Sequence, residues 1–359
     1  MTLLLADGFG WLETKVHEHD DLPFQFASGQ WAGQKYTGYG GDIEVIAHAT
    51  GRKVITRDGN YGMQLMTKQL GGLTRLVVGC RLVCAGALGS SLATLIGFWD
   101  GSIDIGGLWI DTAGQITYRE GVYNHGTIRA TADIAATIPG DTYIEADITF
   151  HQSAGIVKIW VNGVLACNET GIDTIGQGWG GTPATETVSH LTFDGEQIYQ
   201  DIGAGNGLTD IYIDTTTQYG DVKVETKACT VAGSESDWTP AASTNISQVD
   251  EIPADEDTTY VNSAVTGDRD AYKCAAMTGI GAIHGIVHQV RIRKEDANDG
   301  QIKIGVQVGG SEDQGSDRAT GGTSYENVAE IFELNPDTGV DFLESELTSL
   351  ELTVENTSV

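Results

Sequence analysis

The chain has 359 residues, 20 of them Lys or Arg and 50 Asp or Glu, for a formal net charge of −30 at pH 7. That charge repels phosphate backbones, and the densest basic cluster, Arg291, Arg293 and Lys294, is no stripe for DNA or RNA. No apolar run approaches the roughly 20 residues of a membrane-spanning helix, whereas a 40% hydrophobic share can build packed cores and 48 glycines imply many turns.

Period-2 alternation runs through the chain. The opening MTLLLADGFG has no Lys or Arg and only a short apolar stretch, so it is not expected to act as a secretory signal. Strands are predicted at Leu3–Leu5, Ile43–Ala47, Met63–Met66, Leu73–Cys84 and Leu95–Trp99. Leu108–Asp111 and Gln115–Arg119 form a predicted hairpin across Thr112-Ala113-Gly114. In Thr142–His151, Ile144, Ala146, Ile148 and Phe150 share one face. Tyr143, Glu145, Asp147 and Thr149 share the other, the pattern of a half-buried antiparallel strand with its polar face in solvent. Ile156–Val161 and Val164–Cys167 flank Asn162-Gly163, the strongest short-range hairpin signal because both turn residues need positive φ. Val188–Phe193, Ile211–Ile213 and Val222–Glu225 complete the strands of this half.

Composition shifts to Ser, Thr, Pro, Asp and Glu over Thr230–Asp257, which places a domain boundary near its start and divides the chain into residues 1–227 and 228–359. Strands return at Thr258–Ala264, Ile283–Lys294, Gln301–Val308 and Ser324–Glu333, and His284–Lys294 with Gln301–Gly309 reads as a hairpin turned by Asn298-Asp299-Gly300. After the turn Pro336-Asp337-Thr338-Gly339 one short helix is predicted. Asp341 caps it, Glu344 completes a capping box, and Leu343, Leu347 and Leu350 share a face. Glu351–Glu355 is the last strand, and no fixed-period repeat supports a solenoid or propeller.

The five cysteines, Cys80, Cys84, Cys167, Cys229 and Cys274, are odd in number and scattered, which favours buried free thiols over a disulfide framework or a zinc site. Cys80 and Cys84 stand about 13 Å apart along one strand, too far to bridge. Trp31, Tyr36, Tyr39, Trp179 and Trp238 lie in Gly-rich loop sequence, where an exposed ring can stack on a sugar, although packing beneath a loop is the plainer reading. Trp99, Trp109 and Trp160 sit in strands and read as core. The run His17-Glu18-His19-Asp20 reads as a solvated turn. Asp296–Gly300 lacks the later acidic residues of a calcium loop and reads as a hairpin turn, and Gly176–Gly181 lacks the Lys-Ser/Thr of a phosphate cradle.

Leu4-Leu5-Ala6-Asp7-Gly8-Phe9 resembles the start of a group of tailed-bacteriophage virion proteins with a laminin-G/concanavalin-A-like jelly roll. Tyr143–His151 with Ile156–Cys167 is similar to the penultimate hairpin of that fold. Asp210-Ile211-Tyr212-Ile213-Asp214 followed by Gly220–Glu225 is similar to its closing strand. Asp237-Trp238-Thr239-Pro240, Val249-Asp250-Glu251, Asp257–Val261, Arg291–Asp296 and Glu333–Gly339 extend the resemblance through the second half. It implies an all-β chain, an N-terminal concanavalin-A-like jelly-roll sandwich (residues 1–227) plus a smaller C-terminal β-sandwich domain (residues 228–359) with one short helix. The implied role is a non-enzymatic virion structural protein, assembled in the host cytoplasm.

In the preferred form it is a tail- or neck-associated fibre or spike, a homo-oligomer with a trimer favoured. Its partners are other virion proteins and a host surface glycan held by Trp31, Tyr36, Tyr39 and Trp179. The alternatives are a capsid decoration protein and a polysaccharide-degrading enzyme. For the last, Glu145-Ala146-Asp147 resembles the start of the Glu-x-Asp-x-(x)-Glu pattern of laminarinase-type glycosidases, but Thr149 or Phe150 stands where the acid/base should be. Lectin-like jelly rolls often hold calcium on rim loops; Asp210, Asp214 and Asp221, with the pair Asp100/Asp104, are the candidate ligands. With a net charge of −30, assembly is expected to need counter-ions or basic partner surfaces.

Overall fold

A computed structural model describes residues 3–7, 16–17, 31–35, 42–47, 53–58, 63–67, 69–88, 92–101, 104–121, 126–176, 184–193, 206–252, 254–274, 281–295, 300–320 and 322–358. The chain divides into two compact units, the larger ending at Glu225 and the smaller spanning Thr226–Val359.

The strands of the larger unit begin with β1 (Leu3–Asp7), β2 (Val16–His17), β3 (Trp31–Lys35), β4 (Asp42–Ala47), β5 (Lys53–Asp58) and β6 (Met63–Thr67). Next come β7 (Arg75–Cys84), β8 (Leu92–Trp99), β9 (Asp104–Asp111), β10 (Ile116–Glu120) and β11 (Thr127–Thr131). The last are β12 (Gly140–Thr149), β13 (Gly155–Val161), β14 (Val164–Ile172), β15 (His190–Phe193) and β16 (Asn206–Asp214). They form two antiparallel sheets. One runs β14-β13-β12-β7-β16-β5-β4-β2 with β1 on β16; the other runs β11-β10-β9-β8-β15-β6-β3.

Both expected hairpins of this unit are present. Val161 faces Val164 across Asn162 (φ 49°) and Gly163 (φ 76°), the positive pair that a two-residue turn requires. Ile110 faces Ile116 across the Thr112–Gly114 turn. The apolar faces meet between the sheets: Phe98 of β8 lies 5.4 Å from Phe150 and 6.2 Å from Tyr118, ring centre to ring centre. Val78, Cys80, Leu82, Ile144, Ala146, Ile148, Val157 and Ile159 are all fully buried.

The smaller unit contains β17 (Cys229–Ser236), β18 (Thr239–Pro240), β19 (Val261–Asn262), β20 (Arg269–Cys274) and β21 (Ile286–Ile292). It continues with β22 (Gln301–Val308), β23 (Ser311–Gln314), β24 (Arg318–Ala319), β25 (Glu326–Phe332) and β26 (Glu351–Ser358). One sheet runs β17-β20-β26-β22-β23 with β24 on β22, and β21 pairs with β25 in a separate ribbon. Between them Val306, Val308, Phe332, Phe342, Leu347 and Leu350 form one cluster, and Ile302, Ile304, Val328 and Val354 another. The described residues of both units thus make an all-β fold.

The fold departs from the sequence-based expectation at three places. The hairpin of His284–Lys294 with Gln301–Gly309 does not form: β26 holds one side of β22, and β23 and β24 the other, so no edge is left for β21. The helix shrinks to a single 3₁₀ turn, Glu344–Glu346, with Leu343 rather than Asp341 at its N-cap. Phe342 is held extended by a bridge to Ile283, so a helix cannot start at Asp341, and Leu343 is exposed while Leu347 and Leu350 are buried. Lastly, Val222–Glu225 is not a strand but part of an irregular segment after β16.

Candidate functional site

The outward face of β12, expected in solvent, is buried along with its apolar face. Tyr143 and Glu145 are each 1% exposed and Asp147 6%. The register sets Tyr143 beside Arg81, Glu145 between Gly79 and Trp160, and Asp147 beside Lys158. On β16 the chain carries one residue more than β7 between Thr209 and Tyr212, and Asp210 in this bulge takes a left-handed φ of 48°. Asp tolerates that conformation better than most residues, and a bulge re-aims a side chain. Here it directs the Asp210 carboxylate at Arg81.

Residues 215–225 then lie across this face as its outer layer. The backbone N–H groups of Tyr219 and Gly220 donate to Glu145 Oε1 at 3.1 and 2.9 Å, and the Tyr212 hydroxyl donates to the same oxygen. Arg81 donates through Nε to Asp210 at 2.9 Å and through Nη2 to Asp221, and Val224 N–H donates to Asp210 Oδ1 at 3.0 Å. Gly79 is required beneath this network, because any β-carbon there would run into the Tyr212 ring and the Tyr143 hydroxyl.

The electrostatics follow from burial and pairing. Burial disfavours the Arg81 cation, but Asp210 and Asp221 outweigh it and the guanidinium pKa is raised. Burial, then the Glu145 charge, pushes the Tyr212 hydroxyl well above its ordinary range, so it stays a neutral donor. Asp147 is clamped by Arg75 through two bonds, Nε to Oδ1 at 2.8 Å and Nη2 to Oδ2 at 3.0 Å, with Lys158 Nζ at 3.8 Å. A catalytic carboxylate must come within hydrogen-bond reach of a substrate. Glu145 is roofed by backbone, Asp147 is neutralised by cations, and Phe150, one of the two positions for a third acid, is core.

The residues proposed for calcium are engaged by protein groups. Asp210 and Asp221 share Arg81. Asp214 accepts from Thr216 N at 2.6 Å, Thr217 N at 2.7 Å and the Tyr219 hydroxyl at 2.9 Å. Asp100 accepts from Thr185 N at 3.1 Å. Among the described residues no three His, Cys, Asp or Glu side chains gather as metal ligands.

Of the aromatic set, Trp31 has its backbone at the start of β3, opposite Thr67, rather than in a loop. Its side chain, with Tyr36, Tyr39 and Trp179, lies outside the described residues, as do Glu18, His19 and Asp20. Trp238 packs on the Ile302–Val354 cluster, and its indole donates to Asp268 O at 3.1 Å. Trp109 is fully buried, while Trp99 and Trp160 are half-buried. The basic cluster is matched by acids: Arg291 Nε reaches Glu256 at 2.8 Å, Arg293 reaches Asp257 at 2.7 Å, and both guanidinium groups sit over Tyr325. Cys80, Cys84 and Cys167 are buried, with burial pushing Cys80 up to about 12 and Cys84 to about 11. No helix among the described residues is long and apolar enough to cross a membrane.

No protein-family model and no curated protein matches the chain. Among solved structures, domain 4 of a GH43 extracellular arabinanase from Geobacillus stearothermophilus is similar at a TM-score of 0.38 and 14% identity, covering 59% of this chain and 92% of that one. The carbohydrate-binding module CBM66 from Bacillus subtilis is similar at 0.32 and 7% identity, covering 54% and 99%. A Trypanosoma rangeli sialidase in complex with the inhibitor DANA is similar at 0.33 and 13% identity, covering 53% of this chain and 30% of the sialidase, whose length this chain therefore spans by less than a third. At such scores and identities none of them bears on what this chain does, and none links it to a virus particle.

Proposed function

We propose that the chain is a non-enzymatic structural protein of a bacteriophage particle, a tail- or neck-associated fibre or spike whose larger unit is a lectin-like module facing host glycans. The observation that carries the non-enzymatic part is the enclosure of Glu145 and Asp147, the only carboxylates whose spacing suggested glycoside hydrolysis. Glu145 accepts hydrogen bonds from the Tyr219 and Gly220 backbone, and Asp147 is held by Arg75. Both units supply hydrogen-bonded antiparallel sheets as a framework for binding or bracing. The virion setting is supported by the sequence resemblance of the Asp7-Gly8-Phe9 start and the Glu333–Gly339 segment.

The test uses the purified full chain on a panel of polysaccharides and on a glycan array, with antibody labelling of phage particles. The reading predicts no release of reducing ends, saccharide retention on the array, and label on the tail. Reducing-end release that Glu145→Gln abolishes would overturn the non-enzymatic reading. Label on the head would replace the fibre by capsid decoration, and a silent array would remove the glycan.

A further inference from the structure

Cys229 opens β17 and Cys274 closes β20, and the two are direct partners in the antiparallel register. Opposed residues in such a pair have Cα atoms about 4.5–5.5 Å apart, inside the range of about 4.4–6.8 Å that a disulfide spans. Their sulfurs are 3.3 Å apart, and neither residue is fully buried. The other three cysteines are buried, so reagents reach this pair first. The strand it would fasten is weak. Among the described strands β17 is the outermost of its sheet, its pairing with β20 is interrupted twice, and Val231 is half exposed.

We propose that Cys229 and Cys274 are a thiol-oxidation site that takes a low-molecular-weight disulfide, such as oxidised glutathione, and closes into an internal cross-link pinning the edge of the smaller unit. The Cys274 thiolate attacks one sulfur of the small disulfide, forming a mixed disulfide and expelling one thiolate. Cys229 loses its proton and attacks the Cys274 sulfur, forming the Cys229–Cys274 bond and expelling the second thiolate. Both expelled thiolates take up the protons released. Two protein thiols are oxidised and one small disulfide is reduced to two thiols. Either sulfur can accept the other's S–H across 3.3 Å; with Cys229 donating, the Cys274 thiolate is favoured and Cys274 is the attacking member.

The full chain is equilibrated in glutathione buffers from reducing to oxidising, quenched in acid, alkylated and digested. The expected result is a peptide joining Cys229 to Cys274, lighter than the reduced pair by two hydrogens. Cys80, Cys84 and Cys167 are alkylated only after denaturation. Amide exchange along β17 is expected to slow roughly tenfold or more once the 45-residue separation is closed. In Cys229→Ser, Cys274 should accumulate as the mixed disulfide. Cys229 and Cys274 both recovered as alkylated thiols from the oxidising buffer would overturn the proposal, as would a cross-link to any other cysteine. The wild-type peptide map alone decides if the variant fails to fold.

Discussion

Two clusters built from the same residue types do different work. In the larger unit Arg81, with 10% of its side chain exposed, meets Asp210 at 1% in the middle of a sheet face. In the smaller unit Arg293 at 38% meets Asp257 at 68%, over the ring of Tyr325. The buried cluster pairs its guanidinium with a bulged aspartate beneath a crossing strip of backbone, because an unpaired charge there costs several kcal/mol. The exposed one can afford gaps, since water screens each partner. Enclosure, rather than residue type, separates a structural carboxylate from one available to a ligand.

Arg81→Ala should therefore have the largest effect. It strands Asp210 in a buried site, and a loss of about 3–5 kcal/mol is expected in denaturant unfolding of the larger unit. A loss under about 1 kcal/mol would mean that this face opens to water.

His288 gives the smaller unit its own buried titratable group. It lies 4% exposed on β21, with Nδ1 donating to Gly305 O at 3.1 Å, and burial lowers its pKa to about 4. Below the ordinary value of 6.5 the unfolded chain takes up a proton that the folded unit refuses until about pH 4. Stability from this group is thus full above pH 6.5 and lost as pH falls toward 4, by about 3 kcal/mol in all. Unfolding midpoints measured across that window should fall for the wild type and flatten in His288→Gln.

The smallest effect is expected at Arg293→Ala, under about 1 kcal/mol and shrinking further in salt. A larger loss would place this cluster with the buried kind.

Local signals were legible in the sequence. Asn162-Gly163 and Thr112–Gly114 turned the hairpins expected of them, and the alternation in Thr142–His151 separated Ile144, Ala146 and Ile148 from Tyr143, Glu145 and Asp147. What covers the second face was not legible, since Tyr219 reaches Glu145 from 74 residues away with no periodic signal. The same distance problem hid the pairing of β21 with β25, where a nearer turn suggested β22. The capping-box spacing at Asp341 and Glu344 was locally sound, but a tertiary bridge from Phe342 to Ile283 overrode it. The charges of Asp210, Asp214 and Asp221 suggested a cation; Asp210 and Asp221 met the one supplied by Arg81, while Asp214 caps the turn that starts the covering strip.

The enclosure of Glu145 is tested most directly by hydrogen exchange at the Tyr219 and Gly220 amides. Both should exchange slowly in the wild type, with protection falling in Glu145→Ala, where the accepting oxygen is gone. Exchange of both amides at the rate of an unstructured peptide in the wild type would show the face open, and Glu145 free to meet a substrate.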